Sequence, residues 1–164
     1  MPAPNELMLD STDVRILREL QKDGRLTNQE LAKRVGLSSA PCWRRLKRLE
    51  ESHVIDNYAA LLDPEALGLT VTVYAAVSLD NHHEATVRSF DAVIRERPEV
   101  LECYSMSGQY DYLLKVVARN MSDYERFLSG HLLPCPAVRA VSTSFVLKRK
   151  KFTTALPVEK THGD

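Results

Sequence analysis

The chain has 164 residues, 44% of them hydrophobic and 27% charged, which suits one or two small globular domains and excludes a wholly disordered chain. No apolar run approaches the ~18 residues of a membrane helix, and MPAPNELMLD lacks the basic start and apolar core of a secretory signal. Three widely spaced cysteines, Cys42, Cys103 and Cys135, fit a reduced, cytoplasmic protein better than a disulfide framework or a zinc site. Basic and acidic residues balance at 22 each. The balance hides a local excess: Lys33, Arg34, Arg44, Arg45, Lys47 and Arg48 lie between Lys33 and Leu49 with no acid among them. Such a patch suits a partner with a regular charge lattice.

Val14, Leu17 and Leu20, with Ile16 beside them, predict an amphipathic helix from Ser11 to Lys22. Asp10 or Ser11 can cap its start and Gly24 can end it. A second helix is expected from Thr27, where Thr27-Asn28-Gln29-Glu30 reads as a capping box. Leu31, Ala32 and Val35 form its inner side, and Gly36 breaks it. A third begins near Ser38 or Ser39, tolerates Pro41 in its first turn and runs through SSAPCWRRLKRLEES.

At 100° per residue from Cys42, Leu46 and Leu49 fall at about 40° and 340°, beside it. Arg44, Lys47 and Arg48 fall at about 200°, 140° and 240°, on the opposite face, with Trp43 and Arg45 flanking the apolar stripe. One side is built for a core and the other for anions. A helix ~10–12 Å across fits the ~12 Å major groove of DNA. With the turn Val35-Gly36-Leu37-Ser38, the second and third helices make a helix-turn-helix. A basic face alone is more often plain solvated surface; the turn spacing, the capping box and the absence of acids favour DNA. Trp43 can stack on the DNA backbone or pack on the first helix, of which partial packing is expected, and Cys42 reads as a small core residue rather than a redox sensor.

After Ser52, Val54-Ile55 and Tyr58 to Leu62 predict a short strand, and Asp63-Pro64-Glu65 a turn. Further strands are expected at Thr70–Leu79, Val100–Met106, Tyr112–Ala118 and Val138–Phe152, the last ending in Lys148-Arg149-Lys150-Lys151. Helices are expected at His83–Arg97 and from Asn120 to about Leu133, the second with Ser122 as its cap. The order βαββαβ is the split, ferredoxin-like arrangement. The Thr70–Leu79 strand is apolar on both faces, and a sheet of that kind needs a second partner, so dimerisation through the open face is expected.

A helix-turn-helix followed by βαββαβ resembles the Lrp/AsnC (leucine-responsive and asparagine regulator, or feast/famine) family of transcription regulators. The matching segments are Leu9–Pro64, MSGQYDYLLKV at Met106–Val116, and Thr143–Pro157. PCWRRLKRLE is similar to members related to cysteine-responsive and branched-chain keto-acid-responsive regulators. The resemblance implies an α+β protein: a winged-type helix-turn-helix over 1–55, a strand and linker over 56–68, a ferredoxin-like effector-binding and oligomerisation domain over 69–157, and a polar, mobile tail over 158–164. It implies DNA contacts from Ser38, Ser39, Ala40, Pro41, Trp43, Arg44, Arg45, Lys47 and Arg48 on a pseudo-palindromic duplex. It also implies a homodimer or octamer that regulates amino-acid metabolism, with an amino-acid effector held at Met106, Ser107, Gly108, Gln109, Tyr110 and Asp111. The turn amides could hold the effector carboxylate, and Asp111 or a carbonyl its ammonium. Two departures stand out: Ser39 where many members carry proline, and Gln109 where members often carry an acid.

No cofactor, metal or catalytic residue is expected. His82-His83 is a pair with no third ligand near in sequence, and Lys148 to Lys151 reads as a solvated sheet edge. A sirohaem-decarboxylase-like enzyme shares the two-domain architecture, but the histidines (His53, His82, His83, His131, His162) are scattered. A nucleoid-like DNA-compacting protein would use the same basic helix with broad sequence tolerance.

Overall fold

The computed structural model describes residues 8–160. They divide into two compact units: the chain up to Leu61 together with the stretch from Lys151 onward, and Leu62–Lys150 between them.

The first unit holds α1 (Ser11–Lys22), α2 (Asn28–Val35) and α3 (Ser39–Glu51). Asp10 caps α1, accepting from the backbone N–H groups of Thr12 and Asp13, while the Asp13 carboxylate accepts from the Asp10 N–H in return. Thr27 and Glu30 close the same box on α2. Gly36 ends α2 in the left-handed region at φ 70°, which costs glycine no Cβ clash, and its N–H reaches back to the Ala32 and Lys33 carbonyls. Ile16, Leu17, Leu31, Ala32, Val35, Cys42 and Leu49 make the core.

The second unit holds β1 (Val71–Leu79), α4 (Glu84–Arg95), β2 (Val100–Ser105), β3 (Tyr112–Ala118), α5 (Met121–Phe127) and β4 (Val138–Phe145), with one π-helical turn at Leu128–Leu132. All pairings are antiparallel, in the order β2-β3-β1-β4. Alternation along each strand puts Val73, Ala75, Val77, Leu114 and Val116 on the face that packs against Phe90 of α4 and Tyr124 and Phe127 of α5. Tyr74, Ala76, Tyr104, Leu113 and Lys115 lie on the other face, where Tyr74 and Tyr104 are exposed.

Several local expectations are corrected. Residues 54–62 form no strand; they carry no ladder partner among the described residues. β4 stops at Phe145, opposite Val73 of β1, rather than at Phe152, and beyond it only the Val146 N–H to Thr72 carbonyl bond continues the pairing. Lys148–Lys151 therefore does not edge a sheet. Asn120, not Ser122, caps α5, its side chain accepting from the Asp123 N–H. Asp23, not Gly24, is the C-cap of α1.

The expected boundary at 157/158 also differs from the observed division. From Lys151 the chain belongs to the helical unit. The Gln21 side chain clasps the Leu156 backbone at both its N–H and its carbonyl, Arg18 donates to the Val158 carbonyl at 2.8 Å, and Val158 packs on the three-helix core. The segment expected to be a mobile tail is thus docked as far as Val158; residues 161–164 lie outside the described residues.

Candidate functional site

α3 carries four cations, and their surroundings divide them into two pairs. Arg44 is exposed and makes no ion pair with the described residues. Lys47 is exposed, 3.6 Å from Glu51, with its ammonium 5.2 Å from the ring centroid of Trp43. Trp43 is 52% exposed, so about half of its surface is open to solvent beside Lys47. Ala40, Trp43, Arg44 and Lys47 follow the i, i+3, i+4, i+7 spacing of a single helix face. Ser38 caps α3 by position alone, its hydroxyl making no cap bond. Asn28 of α2 donates to the Ser39 carbonyl at 2.9 Å, which ties the two helices of the motif together across the turn.

Arg45 and Arg48 lie elsewhere. Their guanidinium groups reach α1, where Arg45 donates to Asp10 Oδ2 at 2.6 Å and to Asp13 Oδ1 at 2.9 Å. Arg48 donates to Asp13 Oδ2 at 2.5 Å. The Asp13 carboxylate is fully buried. The expectation that Arg48 shares the outward face with Arg44 and Lys47 is therefore corrected: it shares Asp13 with Arg45. Sequence reading missed Asp13, although a signal was present. Asp13 stands in the same i, i+3, i+4, i+7 stripe as Ile16, Leu17 and Leu20, and a carboxylate on a core-facing stripe calls for cations from another element.

The second group is the loop between β2 and β3. Its ends are fastened: the Met106 N–H donates to the Asp111 carbonyl at 2.8 Å, and the Asp111 N–H to the Val77 carbonyl at 2.9 Å. Asp111 Oδ2 accepts from the Leu79 N–H at 2.7 Å, and its Oδ1 lies 2.8 Å from His82 Nε2. The Leu79 N–H, and next to it His82, hold the Asp111 carboxyl below the usual carboxylate range. Both of its oxygens are thus engaged in holding the loop. Between these anchors Ser107, Gly108 and Gln109 are exposed, and their backbone N–H groups donate to no group among the described residues. Gly108 sits at φ 136° with nothing within 4 Å of where a Cβ would project, so the turn stands open. A cavity of about 300 Å³ elsewhere in this unit, between the end of β3 and α5, is lined by residues such as Arg119, Asp123 and His131 and includes none of the loop.

Comparison with known proteins gives consistent findings. The family model for the Lrp/AsnC ligand binding domain matches residues 72–156, and that for a winged helix-turn-helix DNA-binding domain matches residues 9–56. The chain is 38% identical to the transcriptional regulator AzlB of Bacillus subtilis, covering 94% of this chain and 98% of that one. It is 40% identical to the DNA-binding transcriptional activator DecR of Escherichia coli, covering 93% and 100%. A transcriptional regulator of Neisseria meningitidis, solved in complex with L-methionine, superposes with a TM-score of 0.88 at 44% identity, covering 91% of this chain and 96% of that one. An AsnC family regulator of Agrobacterium tumefaciens gives 0.86 at 42% identity, covering 91% and 97%.

The ion cluster on α1 makes stability acid-sensitive in a defined window. The Asp13 N–H, and after it the Arg45 guanidinium, lower the Asp10 pKa from 3.8 to about 2. A lowered folded-state pKa adds stability that is present above the unfolded value and is lost as pH falls through the folded one. Denaturant midpoints of the wild type and Asp10→Asn, which keeps the cap acceptor, should differ at neutral pH and converge between about pH 4 and pH 2. A difference that stays constant to pH 2 would remove the Asp10 carboxylate from the account.

Proposed function

The chain belongs to the Lrp/AsnC family of transcription regulators, and we propose that it binds a pseudo-palindromic duplex as a homodimer in the cytoplasm, with α3 of each protomer in successive major grooves. It is a DNA-binding regulator modulated by a small metabolite. The observation that carries the DNA reading is the exposed stripe Ala40-Trp43-Arg44-Lys47, the cationic face of α3 whose charges are not taken up by the carboxylates of α1. Ser38, Ser39 and Pro41 sit at the start of α3, where its amino-terminal end would meet the phosphates. Arg44 and Lys47 supply phosphate or base-edge contacts, and Trp43 supplies apolar contact beside them. Replacing Arg44 with Ala should cost about 1–3 kcal/mol of affinity for a selected duplex if it reads a base. If it contacts phosphate instead, the variant should lower the salt slope by about 0.9. Titration at several salt concentrations checks both, and an unchanged affinity and slope would remove α3 from the interface. Comparing a selected duplex with random DNA separates a specific regulator from a DNA-compacting protein.

The Met106–Asp111 loop is our candidate effector site, and the effector is a zwitterionic amino acid or close relative, the class to which the ligand of the Neisseria meningitidis regulator belongs. The free N–H groups of Ser107, Gly108 and Gln109 form a cradle for a carboxylate. Asp111 fastens the cradle, and a loop carbonyl takes the ammonium. Gly108→Arg fills the opening above the turn. It should abolish the ligand-induced rise in melting temperature and the ligand effect on DNA affinity while leaving ligand-free DNA binding intact. A normal response from that variant would move the site elsewhere.

The open face of the sheet is our candidate dimer surface, since it exposes Tyr74 and Tyr104 beside the half-buried Leu113 and Ala76. Tyr74→Arg should shift the species measured by light scattering toward monomer, and an unchanged mass would place the interface on another surface.

A further inference from the structure

A charge cluster built on a fully buried carboxylate lies at the amino-terminal end of α1. Asp13 is fully buried and accepts three hydrogen bonds: from Arg45 at 2.9 Å, from Arg48 at 2.5 Å and from the Asp10 backbone N–H at 3.1 Å. Asp10 adds a second carboxylate to Arg45 at 2.6 Å. Two guanidinium groups of α3 are therefore seated on protein carboxylates in the manner in which they would seat on phosphates. The exchange is not symmetric. A DNA phosphate that took Arg45 and Arg48 would leave a carboxylate buried without its cations, and water cannot reach it to compensate. Arg44 and Lys47 on this helix can turn their whole charge to DNA without that penalty.

We propose that Asp13, assisted by Asp10, is a specificity-determining residue of DNA recognition. It withdraws Arg45 and Arg48 from sequence-independent phosphate binding and sets the roll of α3 about its own axis, so that the Trp43-Arg44-Lys47 stripe carries the readout. This rests on the reading of α3 as the DNA-contacting helix. Affinity for arbitrary duplex scales with the number of phosphates neutralised, so a fixed internal anion lowers background binding more than it lowers binding to the correct site. Two carboxylates at the edge of a basic helix thus act as a built-in competitor of the phosphate backbone.

The test uses full-length wild type, Asp13→Asn and Asp10→Asn. The probes are an about 30-base-pair duplex selected by the wild type from a random library, long enough for two half-sites a helical turn apart, and the unselected library itself. Circular dichroism and melting curves establish that each variant is folded. Folded Asp13→Asn should bind the unselected library more tightly, roughly tenfold for each freed arginine at about 0.1 M salt, with a salt slope steeper by about 0.9 per arginine. Its preference for the selected duplex should shrink by the same factor. Asp10→Asn, which releases only one of the two carboxylates on Arg45, should shift both quantities in the same direction by less, and it decides the matter if Asp13→Asn does not fold. A purely structural ion pair would lower affinity for both probes together or leave both unchanged, and either result in a folded variant overturns the proposal. If the wild type itself selects and binds no duplex, the DNA reading of α3 fails, an outcome distinct from variants that match a wild type that binds.

Discussion

A carboxylate removed from water has to be met by cations, and in the helical unit that requirement falls on Asp13. Left without partners, a buried charge of this kind costs about 3–5 kcal/mol, comparable to a whole small domain's margin of stability. α1 has no basic residue placed to satisfy it, so α3 supplies two. The cations can reach the carboxylate only if α3 lies across the start of α1 with Arg45 and Arg48 on the near side and Cys42 and Leu49 in the core. Those two conditions fix the roll of α3. What remains pointing outward is decided by subtraction: Ala40, Trp43, Arg44 and Lys47. The capping box joins the same arrangement, since Asp13 accepts from the Asp10 N–H while its oxygens hold the arginines. One residue thus serves the helix start, the packing of two helices and the composition of the exposed face.

The loop of the second unit follows the same logic with a different carboxylate. Asp111 spends its oxygens on the Leu79 N–H and on His82, and its backbone spends both its groups on Met106 and Val77. Every interaction it makes holds the loop in place, and none reaches outward. The consequence is a turn whose ends are rigid and whose three middle N–H groups are unspent. Preorganised donors cost less to recruit than donors that must first be ordered, which is why such a turn suits an anionic ligand. In both units an aspartate spends its oxygens on neighbouring groups of the chain and so positions the exposed groups beside them.

The sequence carried the fold to a large extent because the fold rests on short-range rules. Periodicity placed the three helices, one capping box, a cap near Asp10 and Gly36 placed their ends, and β-branched runs placed the four strands of the sheet. The errors have physical causes of the opposite kind. Residues 54–62 have strand-like side chains but no ladder partner among the described residues, and propensity without a partner makes no strand. β4 ends where its pairing with β1 stops, at Phe145 opposite Val73, a fact about another segment. The closing stretch from Lys151 reads as polar and exposed, yet Gln21 and Arg18 take hold of its backbone, and backbone acceptors leave no trace in a side-chain pattern.

By itself the sequence determined that there is a helix-turn-helix with a basic third helix and a βαββαβ domain carrying a glycine turn between two strands. These follow from spacing, caps and propensity, which act within about a dozen residues. Only the tertiary structure decided which cations of α3 are available, because Arg45 and Arg48 differ from Arg44 not in chemistry but in what lies more than 30 residues away along the chain. It likewise decided that Asp111 is a fastener, since its partners Leu79 and His82 belong to a different strand and loop. Charge can be counted from a sequence; whether a charge is already satisfied depends on distances between segments that only the folded chain brings together.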